Sequence, residues 1–265
     1  MPPIYKIGLV LSGGGARGIA HIGALKALEE NGIHPEVLSG ASAGAYIGAL
    51  YASGMSPSAI LDFIQESSLW KLFQIGLPLD GLAKLTYAQE RLEQVIPADD
   101  FAALPKRLFV AVSNLNEGKV EMRHEGRLIP TVMASCAIPL IFKPIEIDGN
   151  IYVDGGLLSN LPAQPLRECC EVVLGVNVMS SVSVSVKQVQ SLMGIAIRSF
   201  ELSIYANTAP SKAMCDLVIE PRGLRSYHIF RFGSFREIYD IGYRATLEQM
   251  PRITAMLDLL RESPN

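Results

Sequence analysis

Ile7-Gly8-Leu9-Val10-Leu11-Ser12-Gly13-Gly14-Gly15-Ala16-Arg17-Gly18 opens the readable part of this chain, and Val37-Leu38-Ser39-Gly40-Ala41-Ser42-Ala43-Gly44 follows close behind. In each stretch a short apolar run hands over to a glycine cluster and then to helix-forming residues. A strand that is apolar on both faces belongs in a parallel sheet covered by helices on both sides. The early β-α-β-α order therefore predicts an α/β chain: a three-layer α/β/α sandwich with a mainly parallel central sheet.

Working outward, Ile4 to Leu11 reads as a buried strand and Gly18 to Asn31 as a helix stopped by Gly32. Glu36 to Ser39 is a second strand, and Ala43 to Ser53 the helix behind it. Ser56-Pro57 starts another helix running to Glu66, with proline in its first turn. Leu69 to Leu79 is apolar, holds the single tryptophan Trp70, and reads as either a flap or core. Further helices are expected over Thr86 to Val95, Leu128 to Ala137, Pro162 to Cys169, Gln188 to Ala206 and Phe235 to Leu260. Strands are expected over Arg107 to Ser113, Lys119 to Arg123, Val172 to Val178 and Leu217 to Glu220, with a hairpin over Ile145 to Val153. Ser180 to Val186 alternates serine and valine and fits an exposed strand or a loop. No repeat and no Pro/Gly/Ser-rich linker divides the chain. It reads as a single domain over 1–265, with a motif-bearing core over about 5–220 and a C-terminal helical extension over about 221–265.

Composition narrows the function classes. The 265 residues are 49% apolar and 18% charged, enough for a large core. The net charge of −3 gives no electrostatic footprint for nucleic acid and no polybasic attraction to anionic membranes. Of the four cysteines, Cys136, Cys169, Cys170 and Cys215, two are adjacent and make a poor ordinary disulfide pair. With no C-x-x-C motif, the set fits a reduced compartment. The N-terminal Met1 to Lys6 has no basic region followed by a long apolar core, and no stretch approaches a membrane span. The expected location is cytoplasmic.

Gly40-Ala41-Ser42-Ala43-Gly44 has the G-x-S-x-G form of a nucleophile elbow, a turn so sharp that its serine is strained and its hydroxyl exposed. The loop at Gly13, Gly14 and Gly15 offers backbone N–H groups at a helix start, suited to an anion. A serine and an anion cradle are the two ends of acyl-transfer chemistry. The serine needs a base. None of His21, His34, His124 and His228 sits in a loop of obvious catalytic form, whereas Asp154-Gly155-Gly156 places a carboxylate at a strand end beside two glycines.

The order S-G-G-G-x-R-G, G-x-S-x-G, D-G-G resembles the patatin-like phospholipases, in particular their bacterial members. Ala20 to Glu30, Ala134 to Pro139 and Val153 to Pro162 share the family's look, so the resemblance spans roughly 5–220. It implies a dyad without histidine. Ser42 would attack the acyl carbonyl, and Asp154 would take its proton and later activate water. Gly13, Gly14 and Gly15 would hold the oxyanion, with Arg17 shaping or charging the loop. Gly18, Gly40, Gly44, Gly155 and Gly156 complete the motifs. The implied substrate is a lipid or fatty-acyl ester, met in transient peripheral contact with a membrane. This chemistry requires neither metal nor organic cofactor.

Other readings stay open. A triad in the order Ser42, Asp154, His228 matches the chain order of the α/β-hydrolases, although Ser226 to Phe230 reads better as a strand or loop. A regulatory protein could keep the fold and use little catalysis. Gly13-x-Gly15-x-x-Gly18 also satisfies a dinucleotide fingerprint, which needs an acid at the end of the next strand; that strand ends Leu38-Ser39-Gly40, with Glu36 at its start.

Overall fold

Strands with no polar face have one stable place, the middle of a sheet covered on both sides, and the first run lies there. The computed structural model describes residues 5–66, 81–179, 182–227 and 234–262. In it β1 (Tyr5–Leu11) sits between β2 (Val37–Gly40) and β7 (Cys170–Val176), parallel to both. β3 (Arg107–Asn114) extends the parallel set beyond β2, and β8 (Leu217–Ile219) extends it beyond β7. Three antiparallel strands finish the sheet: β4 (Lys119–Arg123), β5 (Ile145–Ile147) and β6 (Asn150–Asp154). The order across it is β5-β6-β3-β2-β1-β7-β8, with β4 also on β3.

The pleat sorts side chains to the two faces. Leu9, Leu11, Leu38, Val110, Val112, Leu174 and Val176 enter the larger core, shared with α1 (Ile19–Glu30), α2 (Ala43–Ala52) and α3 (Pro57–Glu66). Val10, Val37, Phe109 and Val173 face the other way, onto Leu161, Ala163 and Leu166 at α6 (Gln164–Cys169). This is the expected mainly parallel sheet with helices on both faces.

α1 and α2 are buried nearly all round, the mark of a helix covered on its outer side too. For α1 the cover is α8 (Phe235–Glu262), which sends Ile238, Met250 and Ile253 into the larger core. The two backbones touch. A Cβ on Gly23 would collide with the Tyr239 carbonyl oxygen, and one on Gly242 with the Ala20 carbonyl oxygen. The Tyr243 hydroxyl closes the contact by donating to Glu30 Oε2 at 2.6 Å.

Several boundaries differ from expectation. α4 (Gly81–Val95) starts five residues before the expected Thr86. The helix expected over 188–206 is α7 (Leu192–Lys212). Ser191 caps it by accepting from the Gly194 N–H at 3.0 Å, and a separate 3-10 turn, Val186–Val189, precedes it under its own Ser185/Gln188 capping box. Residues 182–185 form no strand, so the alternating Ser/Val segment is loop where it is described. α5 (Leu128–Ser135) matches expectation to within two residues. The segment 69–79, read as flap or core, lies outside the described residues, as does His228. Among the described residues no helix is long and apolar enough to cross a membrane.

The α1–α8 contact makes a sharp prediction. Gly23→Ala and Gly242→Ala each force two backbones apart, and urea unfolding is expected to show a loss of about 1–3 kcal/mol for either. A change within the noise of the measurement would show that the helices are not in backbone contact.

Candidate active site

The site is a consequence of how β3 is shared. Val110 pairs with Gly40 of β2 on one edge and with Arg123 of β4 on the other; Val112 pairs with Asp154 of β6 and again with β4. β2 and β6 therefore use the same edge of β3, one after the other. β2 leaves it at Gly40 and turns through Ser42 into α2, and β6 arrives on it with Asp154. Two residues 112 positions apart in the chain meet, and Ser42 Oγ donates to Asp154 Oδ2 at 2.6 Å.

The turn is tight enough to strain the serine. Ser42 has φ 52° and ψ −124°, a left-handed conformation worth of order 1–3 kcal/mol of strain in a non-glycine residue. It is held by neighbours on β3 and α5. The Ser42 N–H donates to Ser135 Oγ at 2.9 Å, and the Ser135 hydroxyl donates to the Ala111 carbonyl at 2.7 Å. The Cys136 thiol reaches the Ser42 carbonyl at 3.4 Å. Close approach sets the glycines on either side: a Cβ on Gly44 would strike the Leu11 carbonyl oxygen, and one on Gly155 the Ala111 carbonyl oxygen. Gly40 and Gly18 lie in the same packed seam, against Gly44 and Ala43 respectively. Because α2 begins immediately after Ser42, its positive end faces the hydroxyl and favours negative charge there.

Asp154 is only 1% exposed. Its Oδ1 accepts from the Gly156 N–H at 2.7 Å, capping the 3-10 turn Gly155–Leu157 while Oδ2 serves Ser42. Ser113 Oγ donates to the Asp154 carbonyl at 2.9 Å, and the Asp154 N–H donates to the Ala137 carbonyl. Burial pushes the Asp154 carboxyl up to about 7, against the opposing pull of the hydrogen bonds from Ser42 and Gly156. The aspartate is thus shifted toward the range a general base needs at neutral pH.

The glycine-rich loop lies beside the elbow, and its N–H groups are not all alike. The Gly13 N–H donates to the Asn160 carbonyl at 3.1 Å. Of the three glycines expected to hold an anion, Gly13 thus has its N–H engaged within the protein. Among the described residues nothing accepts from the Gly14 and Gly15 N–H groups. The loop is tied down from behind by the Val178 N–H on Ser12 Oγ at 3.0 Å and by His21 Nε2 on the Ser12 carbonyl at 2.8 Å. Burial lowers His21 to about 4, so it is neutral and donates from Nε2; it is a strut of the loop.

Arg17 is buried too, and its guanidinium turns to Tyr227 and Met179. Nε donates to the Tyr227 carbonyl at 2.8 Å, and Nη1 approaches Met179 Sδ at 3.9 Å. Met179 in turn packs behind Gly14, so Arg17 shapes the loop from its far side, where a cavity of about 390 Å³ opens toward Arg198, Glu201 and Tyr205. Glu36 lies at the opposite end of the sheet and its carboxylate accepts from the Lys6 N–H, out of place for the ribose contact of a dinucleotide site. Among the described residues no three His, Cys, Asp or Glu side chains gather as metal ligands do. Sequence reasoning passed over Ser135 and Asn160. Both stand in stretches it quoted, but their partners, Ala111 and Gly13, are remote in the chain.

The sequence profile of the patatin-like phospholipases, described as "Patatin-like phospholipase", matches residues 9–167. A lysophospholipase NTE1 of Cryptococcus neoformans var. neoformans serotype D is 35% identical over 178 residues, 62% of this chain and 10% of that protein. The human patatin-like phospholipase domain-containing protein 6 is 27% identical over 272 residues, 90% of this chain and 20% of its own length. This chain thus spans only about a tenth to a fifth of the length of these two relatives. Among solved structures, VipD from Legionella pneumophila shares the fold with a TM-score of 0.56 at 19% identity, over 94% of this chain and 67% of its own. With the profile covering more than half of the sequence, the chain belongs to the patatin-like phospholipase family.

Proposed function

We propose that this chain is a serine acyl hydrolase that cleaves carboxylic esters of lipids, of the phospholipase A or lysophospholipase type, through a Ser42–Asp154 dyad. The observation that carries the reading is the 2.6 Å hydrogen bond from a strained serine to a buried aspartate. Membership of the family and the lysophospholipase names of its relatives support the substrate class.

Each residue has a derivable task. A serine hydroxyl is too weak an acid to attack an ester unaided. Asp154 Oδ2 takes the proton as Ser42 Oγ bonds to the acyl carbon. The N–H groups of Gly14 and Gly15 hold the oxygen on which charge develops, and the leaving alcohol collects the proton from Asp154. In the second half a water is deprotonated by Asp154, attacks the acyl carbon and releases Ser42. Arg17 keeps the loop in shape. Leu158, just past the Asp154 turn, and Leu192, Ile195 and Leu202 of α7 are exposed apolar side chains on elements that meet at that turn. They suit brief peripheral contact with a lipid surface.

Hydrolysis of lysophosphatidylcholine and of p-nitrophenyl esters tests the reading. Ser42→Ala and Asp154→Asn are each expected to lower kcat by roughly 10³-fold or more, because dyad members act as a unit; wild-type turnover in Ser42→Ala would sink the mechanism. Gly14→Ala is expected to cost about 10²–10³-fold by moving an oxyanion donor, since its methyl would stand 2.5 Å from Val178 Cγ2. His228→Ala is expected to leave the rate alone, and a loss equal to that of Ser42→Ala would instead favour the triad.

The pH profile follows from the base. Below its value of about 7, Asp154 is protonated and cannot accept from Ser42. Log kcat/KM is therefore expected to rise with a slope of one up to about pH 7 and then level off. A profile flat from pH 5 to 8 would mean that the carboxylate is not the base.

A further inference from the structure

Asn160 stands six residues past Asp154, and its backbone is fully engaged. Its N–H donates to Asn207 Oδ1 at 2.8 Å, and its carbonyl accepts from the Gly13 N–H at 3.1 Å. Asn207 Nδ2 donates in turn to the carbonyls of Gly156 and Leu157, at 3.0 and 3.1 Å. The residue thereby ties the glycine-rich loop, the Asp154 turn and α7 together.

Its side chain is a different matter. Asn160 is 0% exposed, and among the described residues neither Nδ2 nor Oδ1 has a hydrogen-bond partner. Burying a primary amide unpaired costs free energy, and native proteins keep few such groups. A leucine would fill similar space without that cost. The surroundings show what the amide faces. A Cβ on Gly156 would stand 2.9 Å from both Asn160 Oδ1 and Asp154 Oδ1. A Cβ on Gly13 would stand 2.5 Å from Asn160 Oδ1 and 3.2 Å from Ser42 Cβ. The amide and the dyad flank the same two glycines.

We propose that Asn160 is a positioning residue for Asp154, its amide N–H turning to the carboxylate when the Ser42 hydroxyl is lost to the acyl-enzyme. This rests on the acyl-transfer reading above. At rest the carboxylate has two donors, the Ser42 hydroxyl and the Gly156 N–H. Once Ser42 Oγ is esterified it has no proton to give. Asp154 then keeps one protein donor, the Gly156 N–H, just when it must be ionised. In that half-reaction a water O–H bond breaks, its oxygen bonds to the acyl carbon, and its proton goes to Asp154 Oδ2. The tetrahedral intermediate then collapses, the bond to Ser42 Oγ breaks, and Asp154 returns the proton to that oxygen. Rotation of χ2, a soft torsion in asparagine, exchanges Oδ1 for Nδ2 beside the carboxylate without moving the backbone.

Few other groups could do this. The elbow presents the Ser42 hydroxyl. The end of α5 presents the Cys136 thiol, which burial keeps protonated. β3 presents the Ser113 hydroxyl, already donating to the Asp154 carbonyl, and α7 presents the apolar Ile204. Among the described residues no cation faces the carboxylate.

The test compares wild type with Asn160→Leu, Asn160→Ala and Asn160→Asp on a p-nitrophenyl ester, reading kcat against pH, the fraction of protein acylated on Ser42 by mass spectrometry, and Tm. Loss of a hydrogen bond to a charged group is expected to slow deacylation roughly tenfold and to move the acid limb of kcat up by about one pH unit. Acyl-enzyme then accumulates in the Leu and Ala variants. Asn160→Asp places a like charge by Asp154 and is expected to move the limb further. In Asn160→Leu, Tm is expected to hold or rise, because an unpaired buried amide has gone. Should the leucine not fit, Asn160→Ala deletes the amide without added bulk. Unmoved limbs and unchanged acyl-enzyme fractions in all folded variants, beside an active Ser42-dependent wild type, would overturn the role of Asn160 alone. A wild type that forms no acyl group on Ser42 would overturn the acyl-transfer reading and this role with it.

Discussion

One strand edge organises this molecule. β3 accepts β2 up to Val110 and β6 from Val112, and the gap between the two partners is where the chain must turn out of the sheet on one side and into it on the other. Ser42 and Asp154 are the residues at those two turning points. The strain at Ser42 is tolerable because the ladders of β1, β2 and β3 fix the backbone just before it and α2 fixes it just after. The Ser135 hydroxyl bridges the elbow to Ala111 on β3 itself. The site is a break in a sheet that is regular on either side of it.

The same burial that raises the Asp154 carboxyl also bears on stability. The unfolded chain ionises this carboxyl near 3.8, the folded chain near 7. Between those values the folded state holds a proton that the unfolded state has lost, so the Asp154 contribution to stability falls as pH rises through that window and is flat above it. His21 has the opposite sign. Its folded value of about 4 lies below the ordinary 6.5, so the unfolded chain binds the extra proton between them and stability rises with pH over that range. The two slopes oppose each other from about pH 4 to 6.5.

Much of this was legible in the sequence. Buried parallel strands are unbroken apolar runs, and Leu9 to Leu11 and Val172 to Val176 are of that kind. The elbow and the Asp154-Gly155-Gly156 turn declare themselves because sharp turns and close backbones demand small residues at fixed spacing. Other features were hidden by equivalence or by distance. Ser191 caps α7, but in a stretch crowded with serines nothing local distinguishes it. The loss of the Gly13 N–H to the Asn160 carbonyl is a long-range pairing, invisible to any reading of the loop alone.

The position of β1 has a consequence for how this chain must be made. β1 precedes the other described strands in this sequence, yet one of its two edges is filled by β7, more than 150 residues further on. The stretch matched by the family profile ends at residue 167, just before that strand. A chain stopped there carries β1 with an open edge, a template for pairing with another copy. The long span between the partners also makes closure of the sheet a slow, late event in folding. The part of the sequence that defines the family is therefore not a part that can stand alone: its central strand is sealed only when residues beyond it have arrived.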